Sequence, residues 1–131
     1  MRITIESVDG ERVTFASALV RGMARFHAAS DGEIVGRTFD VELDHERVSE
    51  LARCEDAPSV VALPETGAFR VCGEVVSIVP LSDEEDDAVI AVAAGNATFD
   101  LVPEDLRGMR LALGDRVTFV VHGLSLWDEN L

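Results

Sequence analysis

The sequence predicts an all-β domain, β-rich with at most one or two short helices, closed as a small antiparallel, partly open barrel. Three observations carry that expectation. Apolar and polar residues alternate in short runs, as in Ile34–Asp44, where Phe39, Val41 and Leu43 share one face and Thr38, Asp40, Glu42 and Asp44 the other. One wet and one dry face is the mark of an antiparallel strand. Tight-turn pairs recur at short intervals, at Asp9-Gly10, Gly95-Asn96 and Gly114-Asp115. The chain of 131 residues, 47% hydrophobic, is long enough to fold as one domain, residues 1–131, without metal or disulfide staples.

Taken in order, residues 2–8 alternate with Ile3 and Ile5 on one face and run into Asp9-Gly10. Both turn residues tolerate positive φ, so an N-terminal hairpin with a second strand from Glu11 to Phe15 follows. Residues 16–28 read two ways. Ala16, Leu19, Val20, Met23 and Phe26 have helical spacing, while Val13, Phe15, Leu19 and Met23 fit a strand bulged at Gly22. The opening Glu11-Arg12-Val13-Thr14-Phe15 nearly repeats as Asp115-Arg116-Val117-Thr118-Phe119. That near-repeat favours strand through about residues 19–21, with the continuation open.

After the strand at 34–44, a short helix is expected over residues 44–54, with Asp44 as cap and Val48, Leu51 and Ala52 inward. Residues 59–64 form a short strand or extended link. Residues 69–81 form a long strand in which Gly73 marks a bulge or a close backbone approach. The acidic run at 82–87 is a turn. Strands at 88–93 and 97–102 flank Gly95-Asn96, and Pro103 opens one helical turn. Gly114-Asp115 then leads into a closing strand with Val117, Phe119 and Val121 facing the core. Gly123 bends that strand so that Leu124, Leu126 and Trp127 cap the barrel. The count is about seven strands.

Composition excludes several functions. With 25 acidic residues against 11 basic, all arginine, the net charge is −14. Such a surface repels nucleic acid, because phosphate binding draws its affinity from cationic side chains that displace counterions. Single-strand binding also needs stacking aromatics, and the chain has six Phe, one Trp and no Tyr. No apolar run approaches a membrane-spanning length, and residues 1–6 lack a secretory signal, so a cytoplasmic location is expected. Cys54 and Cys72 do not make a disulfide framework.

Chemistry-bearing motifs are absent. His27, His45 and His122 share no metal-ligand spacing with one another or with a cysteine. His45 reads as a surface residue near a helix start, and His122 as a half-buried or rim histidine. No Gly-x-Ser-x-Gly, Walker, dinucleotide or His-Glu-x-x-His pattern occurs. Asp40, Glu42 and Asp44 read as a solvated face, and no cofactor, metal or catalytic residue is assigned. Two features remain as candidate partner contacts. The first is the acidic turn Asp83, Glu84, Glu85, Asp86 and Asp87, which lacks the order of a calcium loop. The second is Trp127, which either seals the open end of the barrel or serves as a partner hot spot.

The segments Cys72-Gly73-Glu74-Val75-Val76, 88–93, 98–102 and Leu113-Gly114-Asp115-Arg116-Val117 give a pattern that resembles the OB-fold family over about residues 69–124. The resemblance implies a small barrel and brings nucleic-acid or small-ligand binding as an alternative function. The primary expectation is a non-catalytic module that binds a basic protein. A small acidic chain of this kind resembles an immunity protein, an inhibitor of a basic toxin or nuclease. A carboxylate- or metal-dependent enzyme is the second alternative.

Overall fold

The computed structural model describes residues 1–28, 32–81 and 87–130. Among them are eleven strands and a single helical turn: β1 (Arg2–Asp9), β2 (Arg12–Ala16), β3 (Arg21–His27), β4 (Thr38–Asp44), β5 (Arg47–Arg53), β6 (Ser59–Leu63), β7 (Ala68–Pro80), β8 (Ala88–Ala94), β9 (Ala97–Leu101), α1 (Pro103–Leu106), β10 (Arg116–His122) and β11 (Ser125–Asp128). The fold is all-β, as expected.

The strands make two sheets. One is a closed barrel in the order β1-β2-β3-β11-β4, with β4 returning to pair with β1. The other is an open sheet in the order β5-β10-β7-β8-β9, with β6 added beside β7. All pairings are antiparallel except β11 with β3. The barrel uses residues 2–44 and 125–128, whereas residues 69–124 supply most of the open sheet. Ile3, Ile5, Val13, Phe15, Phe26, Val41 and Leu126 point into the barrel and join Phe69, Phe99, Val117 and Phe119 in one continuous apolar cluster. Closure leaves the barrel with no free edge to recruit other chains.

The turn at Asp9-Gly10 forms as expected, with Gly10 at φ 62° and Asp9 opposite Arg12. Residues 16–28 prove to be strand, turn, strand. The Ser17 Oγ accepts the Leu19 and Val20 N–H groups at 3.1 and 3.0 Å and ends β2, a side-chain turn that competes with continued pairing. Leu19 then packs over Gly95, where a Cβ would meet its Cδ2 at 2.8 Å.

The helix expected at 44–54 is a strand, β5. Asp44 does cap locally, accepting the His45 N–H at 2.8 Å, but the chain reverses there and pairs with β10. The helical spacing has a specific cause. The ladder with β10 slips between Thr118 and Val120, so an extra residue is inserted on β5, and Glu50 takes φ 55°. A bulge of this kind resets the two-residue alternation. Val48 and Leu51 both meet the core although they are three apart, while Ala52 faces solvent.

In β7, Gly73 is a close approach: a Cβ there would lie 2.6 Å from the Ala93 carbonyl oxygen. The bulge itself falls further on, between Val75 and Ser77. Before β10, the Asp115 carboxylate accepts the Ala112 N–H and the Arg53 guanidinium, each at 2.8 Å. Those bonds hold it below the usual carboxylate range. At Gly123, φ is 68°, and the chain leaves the open sheet for the barrel. The bend expected there is present. It does not cap the barrel from outside, however: β11 becomes one of its staves, with Leu126 inside.

Candidate functional site

β11 alternates, so Leu126 is buried and Trp127 faces out. Trp127 pairs in register with His27 on β3 and with Glu42 on β4, which places all three side chains in one row on the outer barrel wall. The His27 ring stacks on the indole at 3.8 Å between centroids and 14° between planes. The indole nevertheless remains 40% exposed. Beside this row a cleft of about 400 Å³ opens between β4 and β9, bordered by Glu42, Asp100 and Glu129. Its floor carries Val41, Leu43 and Thr98.

Two cations near the cleft are engaged, while Arg25 on β3 is exposed on the same outer wall, two residues before His27. The Met1 ammonium donates to the Val41 carbonyl oxygen at 3.2 Å. Arg2 pairs with Asp40 at 3.0 Å, and that hydrogen bond lowers the Asp40 pKa. The face therefore offers an aromatic ring in register with Glu42, and Glu42 in turn borders a cleft that Asp100 and Glu129 also line. An arginine or lysine from another molecule can lie on such a ring by cation–π attraction while its charge meets the Glu42 carboxylate.

Sequence reasoning singled out Trp127 and the wet face of β4 separately; the barrel register brings them together. Asp83, Glu84, Glu85 and Asp86 lie outside the described residues. Asp87 is exposed at the start of the β7–β8 hairpin's return strand, where its carbonyl accepts the Leu81 N–H at 2.7 Å. It belongs to the open sheet and Trp127 to the barrel, so the two do not share a face.

A second locus escaped the sequence. β5 and the segment after α1 enclose a cleft of about 540 Å³ lined by Ser49, Glu50, Asp105 and Arg107, with Leu51 and Met109 as apolar walls. His45 is not a surface residue, because its turn leads into β5 rather than a helix. Its side chain is 8% exposed, with Nε2 3.1 Å from the Asp105 carboxylate. The same carboxylate accepts the Val102 N–H at 3.0 Å and so fixes α1. Ser49 Oγ and His122 Nε2 share a hydrogen bond of 2.7 Å. Burial, and then the Arg47 charge, lower the His122 pKa. These pairs join residues 60 and 73 positions apart, so no local spacing could announce them.

Chemically the two pairs are separate. Asp105 is committed to His45, and Ser49 to His122, so serine, histidine and carboxylate do not form one relay of the kind that activates a nucleophile. Among the described residues, no three His, Cys, Asp or Glu side chains converge as a metal-binding group, and no helix is long and apolar enough to cross a membrane. No family model matches the chain, and neither a curated protein nor a solved structure matches it.

Proposed function

We propose that the chain is a non-catalytic protein-binding module of the cytoplasm that recognises a basic partner through the barrel face around Trp127. The observation that carries this reading is the row His27–Trp127–Glu42, whose Glu42 also borders the cleft lined by Asp100 and Glu129. A fixed, partly exposed indole is the side chain most enriched among residues that dominate binding energy. Acidic residues around it steer a basic protein during encounter. The wider surface agrees: all but four of the acidic residues in the described stretch (Glu6, Asp105, Asp115 and Asp128) are exposed. The partner class that fits is a basic toxin or nuclease, whose phosphate-binding surface an acidic immunity-type inhibitor would cover.

Calorimetric titration against the basic proteins encoded beside its gene, nuclease domains included, tests the reading. Glu42→Arg and Trp127→Ala are each expected to weaken binding at least about tenfold, and added salt to slow association. Lack of binding to every such protein, or full affinity in both variants, would sink it.

A second reading, a small-ligand binder, is favoured by the cleft at β5 and α1, whose volume lies in the range of small-molecule sites, although the closed barrel is built from residues 2–44 and 125–128 rather than from the OB-resembling stretch 69–124. A metabolite library screened by thermal shift separates the readings: a hit abolished by Ser49→Trp and untouched by Trp127→Ala would favour the ligand.

A further inference from the structure

Cys54 and Cys72 are both free thiols, and no step of the reading above uses them. Cys54 lies just past the end of β5, and Cys72 sits in β7, with β10 running between those two strands. In register, Cys72 faces Thr118 on β10 and Ser59 on β6. Three contacts fold the chain after β5 back over Cys72. The Cys54 N–H donates to the Arg116 carbonyl at 3.1 Å, Arg116 Nη1 donates to the Glu55 carbonyl at 3.5 Å, and the Cys72 thiol donates to the Asp56 carbonyl at 3.4 Å. The outcome is a thiol pair with Sγ atoms 2.9 Å apart, held by one backbone hydrogen bond and by two side-chain bonds to backbone carbonyls.

We propose that Cys54 and Cys72 form a reversible oxidation site, in which a peroxide-class oxidant closes an intramolecular disulfide across the end of β10. The two thiols have unequal roles. Cys72 is 5% exposed, and burial, then the neighbouring Cys54 thiol, push its pKa up to about 11. A thiol so protonated is a poor first nucleophile. Cys54 is half-buried and meets the oxidant first. Its thiolate attacks one peroxide oxygen, the O–O bond breaks, and with one proton a water leaves, giving a sulfenic acid. The Cys72 sulfur then attacks the Cys54 sulfur, the S–O bond breaks, and the hydroxide departs with the Cys72 proton as a second water. Two thiols and one hydrogen peroxide become one disulfide and two waters, with two electrons passing from sulfur to oxygen. Thiol reductants reverse the step by exchange.

The bond would close a loop spanning 18 residues that contains β6, an edge strand. Such closure restricts the unfolded chain, and cross-links of this span raise stability. The test uses the full-length reduced protein treated with hydrogen peroxide. Intact mass is expected to fall by about 2 Da, both free thiols to disappear, and Tm to rise by roughly 10 °C, all reversed by dithiothreitol. Peptide mapping is expected to recover the 54–72 cross-link. Cys54→Ser is expected to lose the mass decrease and the oxidant-dependent Tm rise, and Cys72→Ser to trap a sulfenic acid on Cys54. The wild-type mass and peptide map stand even if a variant fails to fold. Retention of both thiols, gain of oxygen without loss of hydrogen, or cross-linking only between chains would overturn the proposal.

Discussion

Two short strands with almost the same sequence, β2 opening Arg12-Val13-Thr14-Phe15 and β10 opening Arg116-Val117-Thr118-Phe119, end in different sheets. Both put the valine and phenylalanine into the core, and Phe15 and Phe119 are fully buried. Their other faces differ. Thr14 and Thr118 are both half-buried, and the two strands part at the next outward position: in β2, which lies in the barrel wall, Ala16 stays half-buried. β10 lies inside the open sheet, flanked by β5 and β7, and its outward Val120 is only 2% exposed. Arg70 stands next to Val120 in register, and its guanidinium reaches Glu50 at 3.5 Å, on the far side of β10. A shared local pattern therefore specifies strand and core face, while long-range pairing decides whether the second face stays dry.

The largest expected effects test the shared half of that comparison. Phe119→Ala and Phe15→Ala should each cost about 3–5 kcal/mol in chemical denaturation, since both rings are core. A cost below about 1 kcal/mol at either site would mean that one of the two faces is misassigned. The next pair tests the difference. Val120→Ala should cost about 2 kcal/mol through lost burial, whereas Thr14→Ala, on the wet side of β2, should cost under about 1 kcal/mol. Equal losses would erase the distinction between the sheets.

The bulges sharpen it further. The barrel carries one in β1 between Ile5 and Ser7, without positive φ, whereas the one in β5 forces Glu50 to φ 55°. Glycine adopts that conformation without the side-chain clash that penalises other residues. Offset by the greater freedom of the unfolded chain, Glu50→Gly should raise stability by about 0.5–1 kcal/mol, read as an increase in the denaturation midpoint. The exposed Arg70–Glu50 pair it removes is worth little.

The smallest expected effect concerns pH. The folded-state pKa of His122 lies below its ordinary value of 6.5 because burial disfavours the charged ring. The folded state therefore binds fewer protons than the unfolded state just below pH 6.5. The contribution of His122 is fully present above that pH and is lost as pH falls toward the folded value. His122→Gln should flatten the slope of stability against pH just below pH 6.5; a steeper slope in the variant would reverse the sign.

Much of the fold was legible where the signal was local. The Asp9-Gly10 hairpin, the alternation before Asp44, the long strand through Gly73 and the bend at Gly123 all depend on neighbouring residues, and all are present. The errors arose where geometry was set from a distance. The bulge at Glu50 gave β5 a three-residue apolar spacing that imitates a helix, and Ser17 hid a turn inside a run read as continuous. Similar limits apply to the sites. Trp127 drew attention as the single tryptophan, but its neighbours Glu42 and His27 come from strands far away in sequence. The pairs Ser49–His122 and Cys54–Cys72 exist only because the ladders of β5, β7 and β10 align them, and His45–Asp105 because α1 packs against the sheet beside the start of β5.

Because Trp127 is the single tryptophan, its own emission reports on the proposed face. The decisive measurement is Trp127 fluorescence during titration with the basic proteins encoded beside the gene. The account predicts a saturable blue shift as the half-exposed indole is covered, with the midpoint displaced at least about tenfold in Glu42→Arg. Binding seen by calorimetry with the Trp127 emission unchanged would contradict it.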